Sequence, residues 1–192
     1  MIAGVNFINL NAKNSLLVSS THLNALKDIN LNGAMVVIAQ HMNKMFINSF
    51  VTQMGRECNI NVEILSEKTN LRENIVYICD QNFEISATLP VSAKPQPEIK
   101  TIYTPNVDVL FNSGTQIAKN VNLLAILLTG IGDDGAAGLD KLYKAGAKCI
   151  AENEESAIVY GMPKRAKELN QNLKSLNLMM IRKELEEFLN AF

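Results

Sequence analysis

The chain has 192 residues, 47% of them apolar and 19% charged, with a formal net charge of −1. That length carries one domain with a real core, and the composition is that of an ordinary globular protein. The near-neutral balance, with no run of Lys or Arg, excludes a broad basic field for nucleic acid or anionic membrane, and no apolar stretch reaches a membrane span.

The first ten residues, MIAGVNFINL, carry no basic leader region or cleavage signal, so a cytoplasmic location is expected. The next apolar run is SLLVS at 15–19, read as a short buried strand, followed by a helix over 21–30. AMVVIA at 34–39 is a second apolar strand, and 45–56 reads as a helix with Phe46, Phe50 and Met54 at helical spacing. Shorter strands are expected at 61–65, 75–79 and 83–85, with Pro90, Pro95, Pro97 and Pro105 marking loops. A helix over 108–119, a strand over 123–128, a helix over 136–145 and a strand over 148–151 follow. An amphipathic helix over 180–192 closes the chain. Near-continuous apolar strands alternating with helices argue for an α/β fold: a doubly wound, mostly parallel sheet with helices on both faces. A small β-rich insertion fits 60–105, and one domain over 1–192 is the simplest division. The three cysteines, Cys58, Cys79 and Cys149, stand singly, which speaks for reduced thiols rather than a disulfide framework or zinc site.

The stretch ILLTGIGDDGAAGL, 126–139, reads literally as G-x-G-x-x-G between a strand and a helix, with Glu152 or Glu154 about twenty residues on. That is the dinucleotide-binding pattern. Its two variable positions are Asp133 and Asp134, however, and each carboxylate would repel a pyrophosphate by about 3 kcal/mol at roughly 5 Å and an effective dielectric near 20. The fingerprint also comes late in the chain. A plainer reading makes Asp134 a helix N-cap beside Gly135.

Open parallel sheets place their sites at the carboxyl ends of strands. The strand at 15–19 runs out into Ser19, Ser20 and Thr21, the strand at 34–39 into Gln40 and His41, and the strand at 123–128 into Asp133 and Asp134. A hydroxyl, an imidazole and a carboxylate could therefore meet on one rim, and those three groups are what nucleophilic acyl transfer needs. The Thr21 N–H and the glycine loop around Ile131 could supply an oxyanion hole. Each residue also has a structural reading, Ser20 as an N-cap and His41 as a satisfied core histidine. Metal ligation by His41 with Asp133 and Asp134 would need further ligands, and neither a metal nor a cofactor is expected.

LLTGIGDDGAAGLDKLYKAGAKCIAENEESAIVYGMPKRA, residues 127–166, resembles two stretches of the chemotaxis protein-glutamate methylesterase (CheB) family, TG-x-G-x-DG-x-x-G and E-x-S-x-VVYGMP. AQHM at 39–42 resembles its QHM segment, NVDVLF at 106–111 its S-VD-LF segment, and SST at 19–21 falls at its nucleophile. The resemblance implies Ser20 as nucleophile, His41 as general base and Asp134 as the orienting acid. The backbone N–H groups of Thr21 and Ile131 would bind the oxyanion, and no cofactor is needed. It implies hydrolysis of glutamate methyl esters on the cytoplasmic helices of a methyl-accepting chemoreceptor, in some members with glutamine deamidation. Partners in nucleic acid or membrane insertion are not implied. The family's receiver domain has no counterpart in this length.

The departures are local. Val18, His22 and Leu23 stand where the family has glycines around the nucleophile, Asn43, Lys44 and Met45 replace its P-P-G, and Ile102 to Pro105 replace an Arg- and His-bearing stretch. These departures leave one competing expectation, a catalytically weakened homologue acting as a receptor- or partner-binding module; the glycine loop leaves a second, a dinucleotide-binding protein.

Overall fold

The computed structural model describes residues 5–9, 25–86, 90–119 and 121–191, the first of these segments in its backbone only. Seven strands form one parallel sheet: β1 (Val5–Asn9), β2 (Met35–Ala39), β3 (Asn61–Leu65), β5 (Ile75–Cys79), β8 (Leu124–Leu127), β9 (Lys148–Glu152) and β10 (Lys174–Leu176), in the order β10-β9-β8-β1-β2-β5-β3. The chain adds strands to one side of β1 and then to the other, so the order reverses between β1 and β8. At such a reversal the loops leaving the carboxyl ends diverge and open a crevice. Three short strands, β4 (Thr69–Asn70), β6 (Phe83–Ile85) and β7 (Ser92–Pro95), pair antiparallel in a second sheet ordered β4-β7-β6.

Strands β2, β5 and β8 are near-continuous apolar runs because both faces are covered. Side chains alternate between faces, and the packing follows that period of two. Met35, Val37, Ala39, Tyr77, Cys79, Ala125, Leu127, Cys149 and Ala151 lie on one face. Helices α2 (Val107–Gly114), α3 (Ala136–Lys144) and α4 (Met162–Leu169) cover it through Leu110, Phe111, Leu139, Leu142, Met162 and Ala166. Val36, Ile38, Val76, Ile78, Leu124, Ile126 and Ile150 lie on the other face. There α1 (Ile47–Cys58) presents Ile47, Phe50, Met54 and Cys58, and α5 (Leu178–Asn190) presents Leu178, Ile181, Leu185 and Leu189. Each fully buried Leu, Ile or Phe contributes about 1.5–3 kcal/mol by leaving water. Local chemistry sets the ends of these helices. Asn106 and Asn177 accept the N–H of Val109 and Met180 as N-caps, and Asn59 ends α1 in a left-handed conformation at φ 55°.

The doubly wound parallel sheet of the sequence reading is present, with helices on both faces and a β-rich insertion. Some boundaries differ. The strands at 61–65 and 75–79 belong to the main sheet, so the insertion is confined to β4, β6 and β7. The expected helix over 21–30 does not extend to its end: residues 25–28 form a turn, with Asp28 at φ 53°. The helix expected over 108–119 stops at Gly114, and the remaining turns are irregular. The strand expected at 15–19 lies outside the described residues. Five elements were not anticipated individually: β1, the short strands β4, β7 and β10, and helix α4, with Pro95, read as a loop marker, at the end of β7.

Candidate active site

His41 stands two residues beyond Ala39, the last residue of β2, so the strand alternation continues into it. It therefore turns to the face covered by α2 and α3. Its Nε2 lies 2.6 Å from Oδ2 of Asp134, and the two side chains are 9% and 3% exposed. Asp134 has two further donors. The Val107 N–H donates to Oδ2 at 2.9 Å and the Asp108 N–H to Oδ1 at 3.0 Å. Both donors belong to the first turn of α2, where N–H groups have no intrahelical partner and the helix dipole favours an anion. A carboxylate that only accepts requires His41 Nε2 to carry the hydrogen. Nδ1, on the other edge of the ring, is then the nitrogen with the lone pair.

Asp134 is a cap, then, though of a different helix from the one expected. Helix α3, which follows it, begins at Gly135 with no side-chain cap. The N-terminus of α3 is served instead by Asp108, whose Oδ1 accepts the Gly138 N–H at 2.6 Å. Each aspartate thus caps the other's helix. Burial pushes the Asp108 carboxyl above the usual range, the charge of Asp134 adds to this, and the Gly138 N–H partly offsets it. This arrangement removes the dinucleotide reading of the glycine loop, because Asp108 already occupies the helix end a pyrophosphate would use. Of the two acids that pattern offered, Glu152 is fully buried and holds the Thr129 N–H at 2.8 Å and the Ser156 hydroxyl at 2.8 Å, and Glu154 is exposed.

The glycines serve close approach. Gly132 and Gly135 have φ of 91° and 83°. A Cβ on Gly135 would stand 2.6 Å from Val107 Cγ1 and 2.7 Å from Leu127 Cδ1. That contact lets α3 start against α2 and brings Asp134 to His41. The loop is clamped from behind by the IVYGMP stretch. The Gly130 N–H donates to Val159 O at 2.9 Å, and the N–H groups of Gly161 and Met162 donate to Gly130 O at 3.1 and 2.8 Å. Ile131, expected to offer an oxyanion donor, sits at the exposed crest of this clamped loop, 42% exposed.

Of the expected site residues the structure brings His41 and Asp134 together and puts Ile131 on the adjoining loop. Asp133 is exposed beside them. Ser20 and Thr21 lie outside the described residues, as do Val18, His22 and Leu23. No group of three or more His, Cys, Asp or Glu side chains among the described residues is arranged to hold a metal. One residue to which the sequence reading gave no role of its own is Tyr103, noted there only within the 102–105 departure; its ring stacks on His41 with centroids 4.7 Å apart and planes 16° apart. Asp108 is another, and nothing in its local sequence announces a partner thirty residues away.

A parallel α/β sheet carrying a buried His–Asp pair and a glycine loop at its carboxyl rim holds two of the three groups that a Ser–His–Asp hydrolase site of the α/β class uses. Comparison with known proteins narrows that class: residues 19–185 match the model of the CheB methylesterase family, and the chain belongs to that family. The protein-glutamate methylesterase/protein-glutamine glutaminase of Salmonella typhimurium is 35% identical over 148 residues, covering 73% of this chain and 41% of the relative. The protein of the same name from Agrobacterium fabrum is 34% identical over 159 residues, 81% of this chain and 45% of the relative. The chain therefore spans less than half the length of these curated relatives. The crystal structure of the Thermotoga maritima CheB methylesterase catalytic domain superposes with a TM-score of 0.83 at 23% identity, covering 96% of this chain and 98% of that one.

Proposed function

We propose that this chain is a catalytic domain that hydrolyses glutamate methyl esters on the cytoplasmic helices of methyl-accepting chemoreceptors, with glutamine deamidation as a related activity. The 2.6 Å contact between His41 and an Asp134 already fixed by two helix N–H groups carries the reading. It supplies a base of defined tautomer, which a structural histidine does not need.

In this mechanism Ser20 is the nucleophile. His41 Nδ1 takes the Ser20 proton as Oγ attacks the ester carbonyl carbon. The imidazolium so formed is stabilised by Asp134, which stays ionised. Negative charge on the former carbonyl oxygen is met by the N–H groups of Thr21 and Ile131. The tetrahedral species collapses, His41 returns the proton to the departing methoxide, and methanol leaves. Water then enters, loses a proton to His41, attacks the acyl-enzyme and frees the glutamate and Ser20. A glutamine side chain would follow the same route with ammonia as the leaving group. No cofactor takes part in any step, and the reaction belongs on the cytoplasmic side, where the receptor helices lie.

The test is methanol release from methylated chemoreceptor by the wild type and by Ser20→Ala. Loss of about 10³- to 10⁶-fold in the variant is expected if the triad works as a unit. Wild-type release by Ser20→Ala would reject the mechanism. A folded wild type that binds receptor and releases no methanol would favour the binding-module reading.

A further inference from the structure

We infer that Tyr103 is a positioning residue of this site: its ring forms a wall that fixes the plane of the His41 imidazole and extends from it toward the glycine loop. The inference rests on the esterase reading in its kinetic arm only.

Three observations carry it. First, the rings of Tyr103 and His41 are nearly parallel, 4.7 Å between centroids and 16° between planes. An imidazole hydrogen-bonded through one nitrogen can still swing about that bond. A flat ring against its face removes that freedom and leaves in-plane positions for both nitrogens. Second, the far end of Tyr103 reaches the glycine loop. A Cβ on Gly132 would stand 3.5 Å from the Tyr103 hydroxyl oxygen, in ordinary contact. Gly132 follows Ile131, so the ring that stacks on the base ends within one side-chain atom's reach of the glycine loop. Third, the loop bearing Tyr103 is itself built rigidly. Asn82, 2% exposed, donates to Ile99 O at 2.9 Å and to Thr101 Oγ1 at 3.1 Å, and accepts the Asn106 N–H at 2.8 Å. The Thr101 hydroxyl donates to Tyr103 O at 2.6 Å. Both ends of the loop are thus tied to one buried amide, and its exit enters α2, whose first N–H groups hold Asp134. The ring, the base and the acid form one connected unit.

Positioning of this kind acts on the chemical step, since a misplaced base costs rate without changing how substrate docks. Stacked aromatic pairs contribute modestly, so the expected effect is about tenfold in kcat. The experiment compares wild type, Tyr103→Phe and Tyr103→Leu in methanol release from methylated receptor. It also follows the His41 Nε2–H proton by NMR in histidine-labelled protein, where only two histidines contribute. Tyr103→Leu is expected to lose about tenfold in kcat with KM within about twofold, and Tyr103→Phe to recover most of it through the retained ring. The downfield proton bonded to Asp134 should stay sharp in wild type and Phe, and broaden by exchange with water in Leu. Four results would overturn the inference: unchanged kcat in Leu, a Phe variant as impaired as Leu, a rise in KM alone, or an unaltered Nε2–H signal in Leu. A Leu variant that fails to fold would also overturn it, because the ring would then be a packing element. A wild type without esterase activity would reject the functional reading, and the NMR comparison would still decide the role of Tyr103.

Discussion

Asp134 carries more structure than a triad acid requires. It accepts one hydrogen from His41 and two from the start of α2, so replacing it removes the partner of His41, the orienting acid of the proposed mechanism, and a helix cap together. Asp134→Asn presents an amide NH2 where donors converge. Its kcat should fall by about 10⁴-fold. Loss of charge-assisted hydrogen bonds should also lower stability by about 1.5–3 kcal/mol. A folded Asn variant with more than a tenth of wild-type methanol release would refute the role. Asp108 brings a pH dependence to the same pair of helices. Burial first, and the Asp134 charge after it, hold its carboxyl above the usual range. The folded state therefore binds the Asp108 proton more tightly than the unfolded chain does. Its stabilising contribution is present at acid pH and is lost as pH rises through the window between the ordinary and the raised value. Asp108→Asn keeps an oxygen for the Gly138 N–H and does not titrate. Relative to wild type, its melting temperature should climb as pH rises from the acid side through that window, and a pH-independent difference would remove the argument.

Elements differ in how far the chain announces them. The strands at β2, β5 and β8 are legible because burial on both faces demands unbroken apolar runs, and 34–39, 75–79 and 123–128 supply them. His41 and Asp134 are legible for a related reason: polar groups directly beyond such strands stand on one rim in a parallel sheet. Helix α4 is not legible, since only Met162, Pro163 and Ala166 of its eight residues are buried and its stripe is too narrow to show a period. The three-residue strand β10, Lys174–Leu176, gives no period at all. The reciprocal caps and the Tyr103 stack are pairings between distant segments, and a linear pattern carries no mark of them. The IVYGMP motif is visible in the sequence while its work is not. Its glycine lies so close to the glycine loop that a Cβ on Gly161 would stand 2.4 Å from Gly130 O. Gly161→Ala must push the clamp off the loop. A cost of about 1–3 kcal/mol is expected, as for other overpacked sites. Methanol release should fall as well, because Gly130 sets the position of Ile131. A variant that melts and turns over like wild type would show that the clamp is slack.

At the scale of the molecule the sheet needs its second face closed, and α5, the last helix, does that work. Its stripe of Leu178, Ile181, Leu185 and Leu189 covers the face opposite the site. One end is held by the Asn32 side chain, which donates to Leu189 O at 3.2 Å. The middle is held by Glu184, which pairs with Lys148 on β9 at 2.7 Å and with Lys174 on β10. These ion pairs join the helix to the last two strands of the sheet. The Lys148 contact first, and Lys174 after it, draw the Glu184 carboxyl below its ordinary value of 4.5. The folded state thus binds this proton more weakly than the unfolded chain. The stabilisation is fully present above the ordinary value and is lost as pH falls through the depressed one. Both lysines are well exposed, so solvent screening keeps the contribution to about 1 kcal/mol or less. Glu184→Gln should melt below wild type at neutral pH, and the gap should close as pH falls below about 4.5. Added salt should narrow the neutral-pH gap too, since the charges are screened within about 10 Å at 0.1 M. A gap that holds constant across pH and salt would mean that Glu184 acts through its stem and packing, and that the apolar stripe alone fastens α5 to the sheet.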